Sequence, residues 1–295
     1  MPVPKKYSIS GSPGRRHDLY LLCSLLMKAL DLVDYHMHTA RCGHAVGRLD
    51  EYAARAVDLG LREIGFSDHL PLLHMEDPTL SMAQDELPLY VREVDDLRAR
   101  FPDLPIRLGI EVDYLPETAP RLPALLDAYP FDYVMGSLHF VDGWAFDDPR
   151  NLDGYEGRDL LALWERYFDL LGDAAESGLF DVLAHPDLIK KFGFRPAEDV
   201  RHLHERCLDR IAASGVAVEV STAGLRKPAK KIYPDEEFLR QCRERRIAVT
   251  MGSDAHHPRE VGQDFEEALY LLRRVGYEEL AVFIGRTRSS LRLPV

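Results

Sequence analysis

The chain has 295 residues, of which 46% are hydrophobic and 29% are charged. A chain of this length and composition can bury a sizeable core, so we expect one large α/β domain. The formal net charge of −12 at pH 7 would repel a polyanion, and no long run of Lys and Arg offsets it. We therefore expect a small-molecule substrate and no nucleic-acid partner.

Residues 1–26 differ in composition from the rest of the chain. They begin with Lys, Ser, Gly, Pro and Arg and then become apolar up to Met27. No small-residue cleavage site follows this apolar stretch, so we do not interpret it as a secretory leader. It is also shorter than the roughly 18 residues that cross a bilayer, so we expect no membrane association. We predict a disordered or loosely packed extension at 1–26 and one domain at 27–295, with Met27 as an alternative start of translation.

The four cysteines are widely spaced and form no CxxC pair. Dense disulfide frameworks belong to short secreted domains, which this chain does not resemble. We predict free thiols and a cytoplasmic protein. The cysteines are Cys23, Cys42, Cys207 and Cys242.

Beyond the extension, short β-branched or apolar runs that end in a polar residue alternate with longer helical patterns. The predicted strands, in chain order, are Asp31–His38, Glu63–His69, Ile106–Tyr114, Phe131–His139, Phe180–Pro186, Val216–Ser221 and Ile247–His256. The predicted helices between them are Leu49–Leu59, Leu87–Arg100, Leu160–Ser177, Val200–Ser214 and Asp235–Arg245. A repeated alternation of strand and helix is typical of a parallel sheet with helices outside it.

The sheet could close into a barrel or stay open as a doubly wound sheet. Both folds place function at the carboxyl ends of the strands. An open sheet binds its ligand at one switch point, whereas nearly every strand predicted here ends in His, Asp or Glu. A barrel would bring all of these ends round one axis, so we predict a barrel.

Seven of the 12 histidines lie at these strand ends or in the loops that follow them. Residues two apart in a strand face the same side, so His36 and His38 point into one cavity, as do Asp254 and His256. Imidazoles mixed with carboxylates, without thiolates, are typical ligands of zinc, iron or manganese. The strand-end residues are His36, His38, His44, Asp68, His69, Glu111, Asp113, His139, His185, Asp187, Asp254 and His256.

Each of these residues alone has a simpler explanation, because a single His at a strand end is more often a hydrogen-bonded group than a metal ligand. The joint pattern is different. Seven imidazoles gathered at one end of a barrel would leave many buried polar groups without partners unless a metal bound them. The pattern therefore predicts a metal site.

The ordered motifs DYHMHTARCGH, GFSDH, GIEVDY, GSLHF, AHPD and GSDAH resemble those of the polymerase and histidinol phosphatase (PHP) superfamily. The resemblance extends over residues 31–285. Within it, the segments CGHA, EIGFSDH, PFDYVMGSLHF and STAGLRKPAKKIYP are most similar to the monofunctional histidinol-phosphate phosphatases.

The resemblance implies a distorted seven-stranded (β/α) barrel of the PHP type that holds three divalent ions of zinc, manganese or iron. The first metal would be bound by His36, His38, Glu111 and Asp254. The second would share Glu111 with the first and add His139 and His185. The third would be held by His44, His69 and His256. The predicted catalytic residues among these ligands are Glu111, Asp254 and His256.

Cationic side chains near the strand ends are candidates for binding the substrate. A phosphate monoester is a dianion, so its hydrolysis needs positive charge and an activated nucleophile, both of which metal ions supply. Arg226 follows the sixth predicted strand in a loop that contains glycine, and Lys190 and Lys191 follow the AHPD motif. We predict that these three residues bind substrate; the alternative for each is a surface charge. Ser221 departs from the family pattern, in which Asn is expected, and this puts one substrate contact in doubt.

Several residues beside the motifs have other expected roles. Asp68, Asp113 and Asp187 are predicted to accept hydrogen bonds that orient imidazoles. Cys42 is interpreted as a small loop residue and not as a nucleophile, because no Cys-His-Asn grouping accompanies it. Trp144 either covers the substrate or packs within its loop.

The leading functional hypothesis is hydrolysis of L-histidinol phosphate to L-histidinol and phosphate, a step of histidine biosynthesis. One alternative is the same chemistry on another phosphomonoester or a nucleotide. A less favoured alternative is a polymerase-associated PHP nuclease, which the acidic charge opposes. A catalytically dead metal-binding protein is disfavoured because every expected ligand is present. The oligomeric state is not indicated by the sequence.

Overall fold

The computed structural model describes residues 30–294 of the chain. The predicted extension, the alternative start at Met27 and Cys23 lie outside this range. Seven strands within it pair in parallel: β1 (Val33–Asp34), β2 (Glu63–Phe66), β3 (Ile106–Asp113), β4 (Tyr133–Ser137), β7 (Val182–Leu183), β8 (Ala217–Ser221) and β9 (Val249–Gly252). They lie side by side in that order. Between β4 and β7 the chain forms a small hairpin of β5 (Phe140–Val141) and β6 (Trp144–Ala145).

The sheet closes on itself just beyond the regular strands. Tyr35 donates its backbone N–H to Met251 O at 3.0 Å, and Ala255 donates to His36 O at 3.1 Å. His38 N and Ala255 O, 2.9 Å apart, complete this parallel contact. The first and last strands are therefore neighbours, and the predicted barrel is confirmed.

One end of the barrel is covered by a second hairpin, β10 (Glu279–Ile284) and β11 (Thr287–Arg292). Its turn donates Gly285 N to Asp132 Oδ1 at 3.1 Å and Arg286 N to Asp132 O at 2.8 Å. Because Asp132 directly precedes β4, the hairpin lies at the amino-terminal ends of the strands. The carboxyl-terminal end, where all the predicted ligands lie, stays open.

The Tyr133 side chain fills the barrel interior and leaves no room for a side chain at the positions that face its ring. Its hydroxyl donates to Tyr35 O at 2.5 Å, and the two rings stack with centroids 4.9 Å apart. A Cβ atom at Gly65 or at Gly109 would lie 2.2 Å from an atom of the Tyr133 ring or its hydroxyl. Only glycine therefore fits on β2 and β3 at these positions, because a core at crystal-like density has no room for a methyl group there.

The helices are α1 (Leu49–Leu59), α2 (Leu87–Arg100), α3 (Leu122–Leu126), α4 (Leu160–Glu176), α5 (Arg201–Ser214), α6 (Glu236–Glu244) and α7 (Phe265–Val275).

Local hydrogen bonds and a glycine determine where some of these helices begin and end. Glu51 Oε2 accepts from Arg48 N at 2.7 Å to start α1, and Gly60 ends it at a φ of 63°, a left-handed conformation that favours glycine. Asp159 Oδ1 accepts from Ala162 N at 3.1 Å at the start of α4. No helix within residues 30–294 is both long and apolar enough to cross a membrane.

The seven strands of the barrel are the seven predicted from the sequence, although most are shorter than predicted. The five predicted helices also form, and α3, α7 and the two hairpins are additions. Cys42, Cys207 and Cys242 are buried free thiols, as predicted for them.

Candidate metal centre

The barrel brings all nine predicted ligands to its open end. Most follow the carboxyl end of a strand, Glu111 lies on β3, and His44 comes from the loop after the short 3₁₀ helix Ala40–Cys42. His36, His38 and His185 are almost fully buried, as is Glu111. The set consists of His36, His38, His44, His69, Glu111, His139, His185, Asp254 and His256.

Glu111 lies at the centre, and its two carboxylate oxygens face different imidazoles. Oε2 is 3.0 Å from His69 Nδ1 and 3.3 Å from His36 Nε2. Oε1 is 3.0 Å from His185 Nε2 and 3.7 Å from His139 Nε2. A carboxylate with each oxygen turned to a separate cluster of ligands is arranged to be shared by two cations.

Asp254 and His38 connect this centre to a group of stacked imidazoles. Asp254 Oδ1 is 3.2 Å from His38 Nε2 and 3.4 Å from His256 Nδ1. The ring centroids of His38 and His256 are 4.0 Å apart, and those of His44 and His256 are 4.7 Å apart. His69 stands 4.4 Å from His38 by the same measure. The imidazoles therefore form one continuous cluster rather than isolated pairs.

Two of the nine predicted ligands have strained backbones. Asp254 has a φ of 52° and His185 a φ of 28°, in the left-handed region that residues with a Cβ rarely adopt. Such conformations cost roughly 1–3 kcal/mol each and persist where the surroundings enforce them, often at functional sites.

The two central carboxylates are held in their anionic form. Burial alone would raise the pKa of Glu111, but the imidazoles of His69 and His36 outweigh it and hold that pKa well below its ordinary value. Burial is likewise outweighed at Asp254, where His36 and His38 hold the pKa well below its ordinary value. Both groups are therefore ready to bind cations at neutral pH.

Carboxylates lie beside the outer nitrogens of three imidazoles. Asp113 Oδ1 is hydrogen-bonded to His139 Nδ1 at 2.9 Å. Asp68 Oδ1 lies 3.4 Å from His38 Nδ1, which has no hydrogen bond within residues 30–294, so this contact is electrostatic. Glu219 on β8 holds two ligand segments, because Oε1 is 2.8 Å from His36 Nδ1 and Oε2 accepts from the backbone N of His185 at 2.7 Å. Partners of this kind orient metal-binding imidazoles and fix the tautomer.

The role of Glu219 was missed in the sequence. Its signal is a single carboxylate in the middle of VAVEVS, an otherwise apolar strand that is buried throughout. A charged residue in such a strand needs a buried partner.

The residues present fit metal ions. His36 Nε2, His38 Nε2 and Glu111 Oε2 are buried and have no hydrogen-bond partner within the described residues. The two nitrogens lie 3.3 Å and 3.6 Å from that oxygen, around a common centre. Several groups of three donors lie within 4.8 Å of one another: His36, Glu111 and His185; His36, His38 and Asp254; and His38, His69 and His256. Buried nitrogen and oxygen donors without partners suit zinc, manganese or iron.

Cys42 lies beside this cluster, but its thiol is buried and is not a candidate nucleophile. Its Sγ accepts from Ala45 N at 3.3 Å and is within 4.8 Å of ring nitrogens of His44 and His256. Burial raises the pKa of the Cys42 thiol, which disfavours the reactive thiolate.

A cavity of about 660 Å³ opens over the metal-binding residues. Arg226 lines it, and its Nη2 donates to Ser253 O at 2.6 Å and to Asp254 O at 3.3 Å. Its Nη1 is buried and has no partner within the described residues. Lys191 also lines the cavity and donates its Nζ to Asp147 Oδ2 at 2.9 Å. Both cations are thus placed where a phosphate could reach them.

Lys190, by contrast, is buried away from the cavity. Its Nζ forms an ion pair with Asp187 and donates to Ile232 O at 2.9 Å. It is 1% exposed and does not line the cavity. Its ammonium joins the loop after β7 to the loop after β8, so we leave it out of the substrate contacts. The same pair occupies Asp187, which therefore does not orient an imidazole as predicted.

Ser221 and Trp144 both make contacts within their own loops. Ser221 is fully buried, and its Oγ accepts from Ala223 N at 3.4 Å at the start of the turn that carries Arg226. Trp144 packs within its loop, with its ring 4.8 Å from that of Tyr155 and the Arg158 guanidinium 4.1 Å over it. Among the residues after it, Ala145 and residues 147–150 border the cavity.

The sequence of the chain is similar to those of known proteins. A family model described as the PHP domain matches residues 34–223. A Deinococcus radiodurans protein named probable histidinol-phosphatase is 42% identical over 83% of this chain and 94% of its own. A Bacillus subtilis protein named histidinol-phosphatase is 31% identical over 80% of this chain and 97% of its own.

The fold has a close counterpart among solved structures. The crystal structure of a histidinol phosphate phosphatase from Lactococcus lactis, complexed with zinc, L-histidinol and phosphate, superposes with a TM-score of 0.76. It covers 88% of this chain and 100% of its own, at 22% identity. At that identity the likeness is one of fold.

Proposed function

Because the chain belongs to the PHP domain family, we propose that it is a metal-dependent histidinol-phosphatase, which hydrolyses L-histidinol phosphate to L-histidinol and phosphate. Two relatives that match it over nearly their whole length carry that name. The observation that carries the proposal is the geometry of Glu111, whose two oxygens face separate imidazole clusters at the floor of an open cavity.

The proposed metal assignment follows the family pattern. His36, His38, Glu111 and Asp254 would hold one ion, and Glu111, His139 and His185 a second. His44, His69 and His256 would hold a third. The donor groups overlap at His38, which lies within reach of both Asp254 and the His69–His256 group. Three ions of zinc, manganese or iron are therefore our proposal for the site.

Divalent ions bound there would lower the pKa of water to give a nucleophile at neutral pH and would stabilise negative charge on the phosphoryl oxygens. The residues of the chain do the rest. Glu111 and Asp254 supply the anions that hold the ions in place. The Asp254 side chain is 15% exposed and lines the cavity, so its carboxylate can accept a proton there, beside His256.

Arg226 and Lys191 complete the charge in the cavity. Arg226 is fixed by two backbone carbonyls through Nη2, and no residue in the range 30–294 accepts from its Nη1, so the guanidinium has donor capacity left for a phosphate oxygen. A guanidinium already held by other contacts loses little entropy on binding. Lys191 supplies a second cation, held in position by Asp147.

The test is kcat/KM of metal-replete protein for L-histidinol phosphate and for a panel that includes nucleoside monophosphates, sugar phosphates and p-nitrophenyl phosphate. We expect L-histidinol phosphate to be preferred over every other ester by at least about tenfold, or about 1.4 kcal/mol in transition-state stabilisation. Equal rates across the panel, or a better substrate within it, would contradict the assignment while leaving the phosphatase chemistry intact.

A further inference from the structure

The proposed substrate has a charge that the metal-binding residues do not accommodate. L-histidinol phosphate carries its amino group on the second carbon from the ester oxygen, and at neutral pH this group is an ammonium. A phosphate on the metal ions would therefore bring a cation to within a few bonds of a strongly positive centre. Such a cation needs a nearby anion.

Four carboxylates other than Glu111 and Asp254 line the cavity: Asp113, Asp147, Asp148 and Glu260. Three of them are committed to fixed partners. Asp113 Oδ1 accepts from His139 N at 3.1 Å and bonds to its ring. Asp148 uses both oxygens on Arg150. Glu260 Oε2 accepts from His256 N at 3.0 Å and so fixes a metal ligand.

Asp147 differs from Asp113 and Glu260, whose partners are the predicted metal ligands His139 and His256, because its own partner is Lys191. It differs from Asp148 because only one of its two oxygens is bonded within the described residues. Its Oδ2 accepts from Lys191 Nζ at 2.9 Å, and no hydrogen bond reaches its Oδ1 from any residue in the range 30–294. The side chain is 18% exposed, toward the cavity that it lines. Although burial would raise the pKa of Asp147, Lys191 and the nearby His139 lower it, so the group is an anion.

The loop holds Asp147 in place from both sides. Phe146 before it is fully buried, and its carbonyl accepts from the Tyr155 hydroxyl at 2.9 Å. Asp148 after it begins the 3₁₀ turn by accepting from Arg150 N at 2.8 Å. A carboxylate on such a loop can fix an incoming group without first being ordered.

We infer that Asp147 binds the ammonium group of the substrate through Oδ1 and makes the site selective for phosphomonoesters that carry an amine close to the ester oxygen. This inference rests on the proposed function. One carboxylate can accept from Lys191 and from the ammonium at once, because its two oxygens offer about four lone-pair sites. Apolar residues of the same cavity, Leu72 and Phe140 among them, provide a surface for the imidazole ring.

The experiment compares two esters that differ only in the amine: L-histidinol phosphate and 3-(imidazol-4-yl)propyl phosphate. Their kcat/KM values are measured for the wild-type protein and for Asp147→Asn, Asp142→Asn and Glu260→Gln, with metal content determined for each. We expect the wild type to prefer the amine-bearing ester by about 10- to 100-fold, the effect of one charge-assisted contact. Asp147→Asn should abolish this preference, mainly through KM. The amide oxygen introduced there can still accept from Lys191, so the rate for the deamino ester should fall less than the rate for L-histidinol phosphate.

Asp142→Asn is the matched control, since it is the same substitution in the preceding hairpin, at a side chain that is 63% exposed and does not line the cavity. It should keep the wild-type preference. The inference is overturned if the wild type does not discriminate between the two esters, if Asp147→Asn lowers both rates equally, or if Glu260→Gln removes the preference instead. The proposed function fails separately, when the wild type favours some other ester of the panel over L-histidinol phosphate.

Discussion

Glu111 is a buried carboxylate whose negative charge must be compensated by its neighbours. It is 1% exposed and anionic, and it lies within 3.7 Å of five imidazoles: His36, His38, His69, His139 and His185. A buried carboxylate is stable only if its charge is compensated. In the apoprotein protonated imidazoles would have to provide that compensation, and bound cations would replace them.

We predict that Glu111→Gln lowers kcat by more than about 100-fold and reduces the bound metal. Residues that only orient a ligand typically cost 10- to 100-fold when changed, and a carboxylate shared between two ions should cost more. The measurements are kcat and metal content by elemental analysis, with Glu205→Gln on an exposed face of α5 as control. A Glu111→Gln protein with wild-type metal content and rate would show that Glu111 is not a shared ligand.

We predict that Arg226→Ala lowers kcat/KM by about 10- to 100-fold without changing metal content, because it removes one charge-assisted contact to phosphate. Arg226→Lys should restore only part of the loss, since an ammonium lacks the planar fork. Within the part of the chain that the structure describes, Nη1 of Arg226 has no hydrogen-bond partner, as expected of an arginine that keeps a donor for substrate. Unchanged kinetics in Arg226→Ala would shift the phosphate contact to Lys191.

At the scale of elements, helices α4, α5 and α6 pack around a histidine that has no role at the metal centre. His204 on α5 is 7% exposed and lies between Phe168 of α4 and Phe238 of α6, with ring centroids 4.8 Å and 5.2 Å away. Neither of its nitrogens has a partner within the described residues. Burial lowers the pKa of His204 to about 4. The positive charges of Lys190 and Arg195 lower this pKa further, whereas the negative charge of Asp235 partly offsets the shift.

This shift predicts an acid-sensitive contribution to stability. The pKa of His204 is lower in the folded state than the roughly 6.5 of an unfolded chain, so the unfolded state binds the proton first. The free energy of unfolding should fall as the pH drops from about 6.5 to about 4, by as much as about 3 kcal/mol. We expect His204→Leu to be less acid-sensitive than the wild type over this range, and the exposed His202→Leu to behave like the wild type. Thermal melts at several pH values measure the difference, and parallel curves for His204→Leu would refute it.

Much of this arrangement was predictable from the sequence, because the barrel repeats one local pattern. Each strand run ends in polar residues and is followed by a helix, and that repetition located the strands and the nine candidate ligands. The burial of Lys190 was not predictable, because its partners Asp187 and Ile232 O meet it only in the folded chain. The β10–β11 hairpin was missed because it breaks the strand–helix repeat, although Gly285 and Arg286, with φ of 51° and 63°, form a tight two-residue turn between two strand-like runs.

At the scale of the whole molecule, the barrel places its polar residues at one end and its apolar closure at the other. The open end gathers seven imidazoles and two carboxylates that have few partners of their own. The opposite end is covered by the β10–β11 hairpin and packed with Tyr35, Tyr133 and Phe283. Stability at the open end should therefore depend on bound ions, whereas the closed end is stable by packing.

We predict that a strong chelator abolishes phosphatase activity and lowers the melting temperature, and that zinc or manganese restores both. Ions present at 100 times their dissociation constant stabilise the folded state by about 2.7 kcal/mol, which corresponds to roughly 5 °C or more for a protein of this size. Calorimetry before and after chelation, with activity measured on the same samples, tests this. Full activity in metal-free protein would refute the mechanism.

The meeting of the first and last strands also sets when the protein can fold during synthesis. Tyr35 hydrogen-bonds to the backbone N of Phe283, 248 positions further along the chain, and His36 pairs with Ala255 across the barrel seam. Until a ribosome has added Ala255, His36 and His38 lack their partner across the seam, and until Phe283 follows, the interior around Tyr35 stays open to water. The nascent chain must therefore hold its predicted metal-binding histidines in an incomplete barrel until these residues have been synthesised, because contacts of such long range form late.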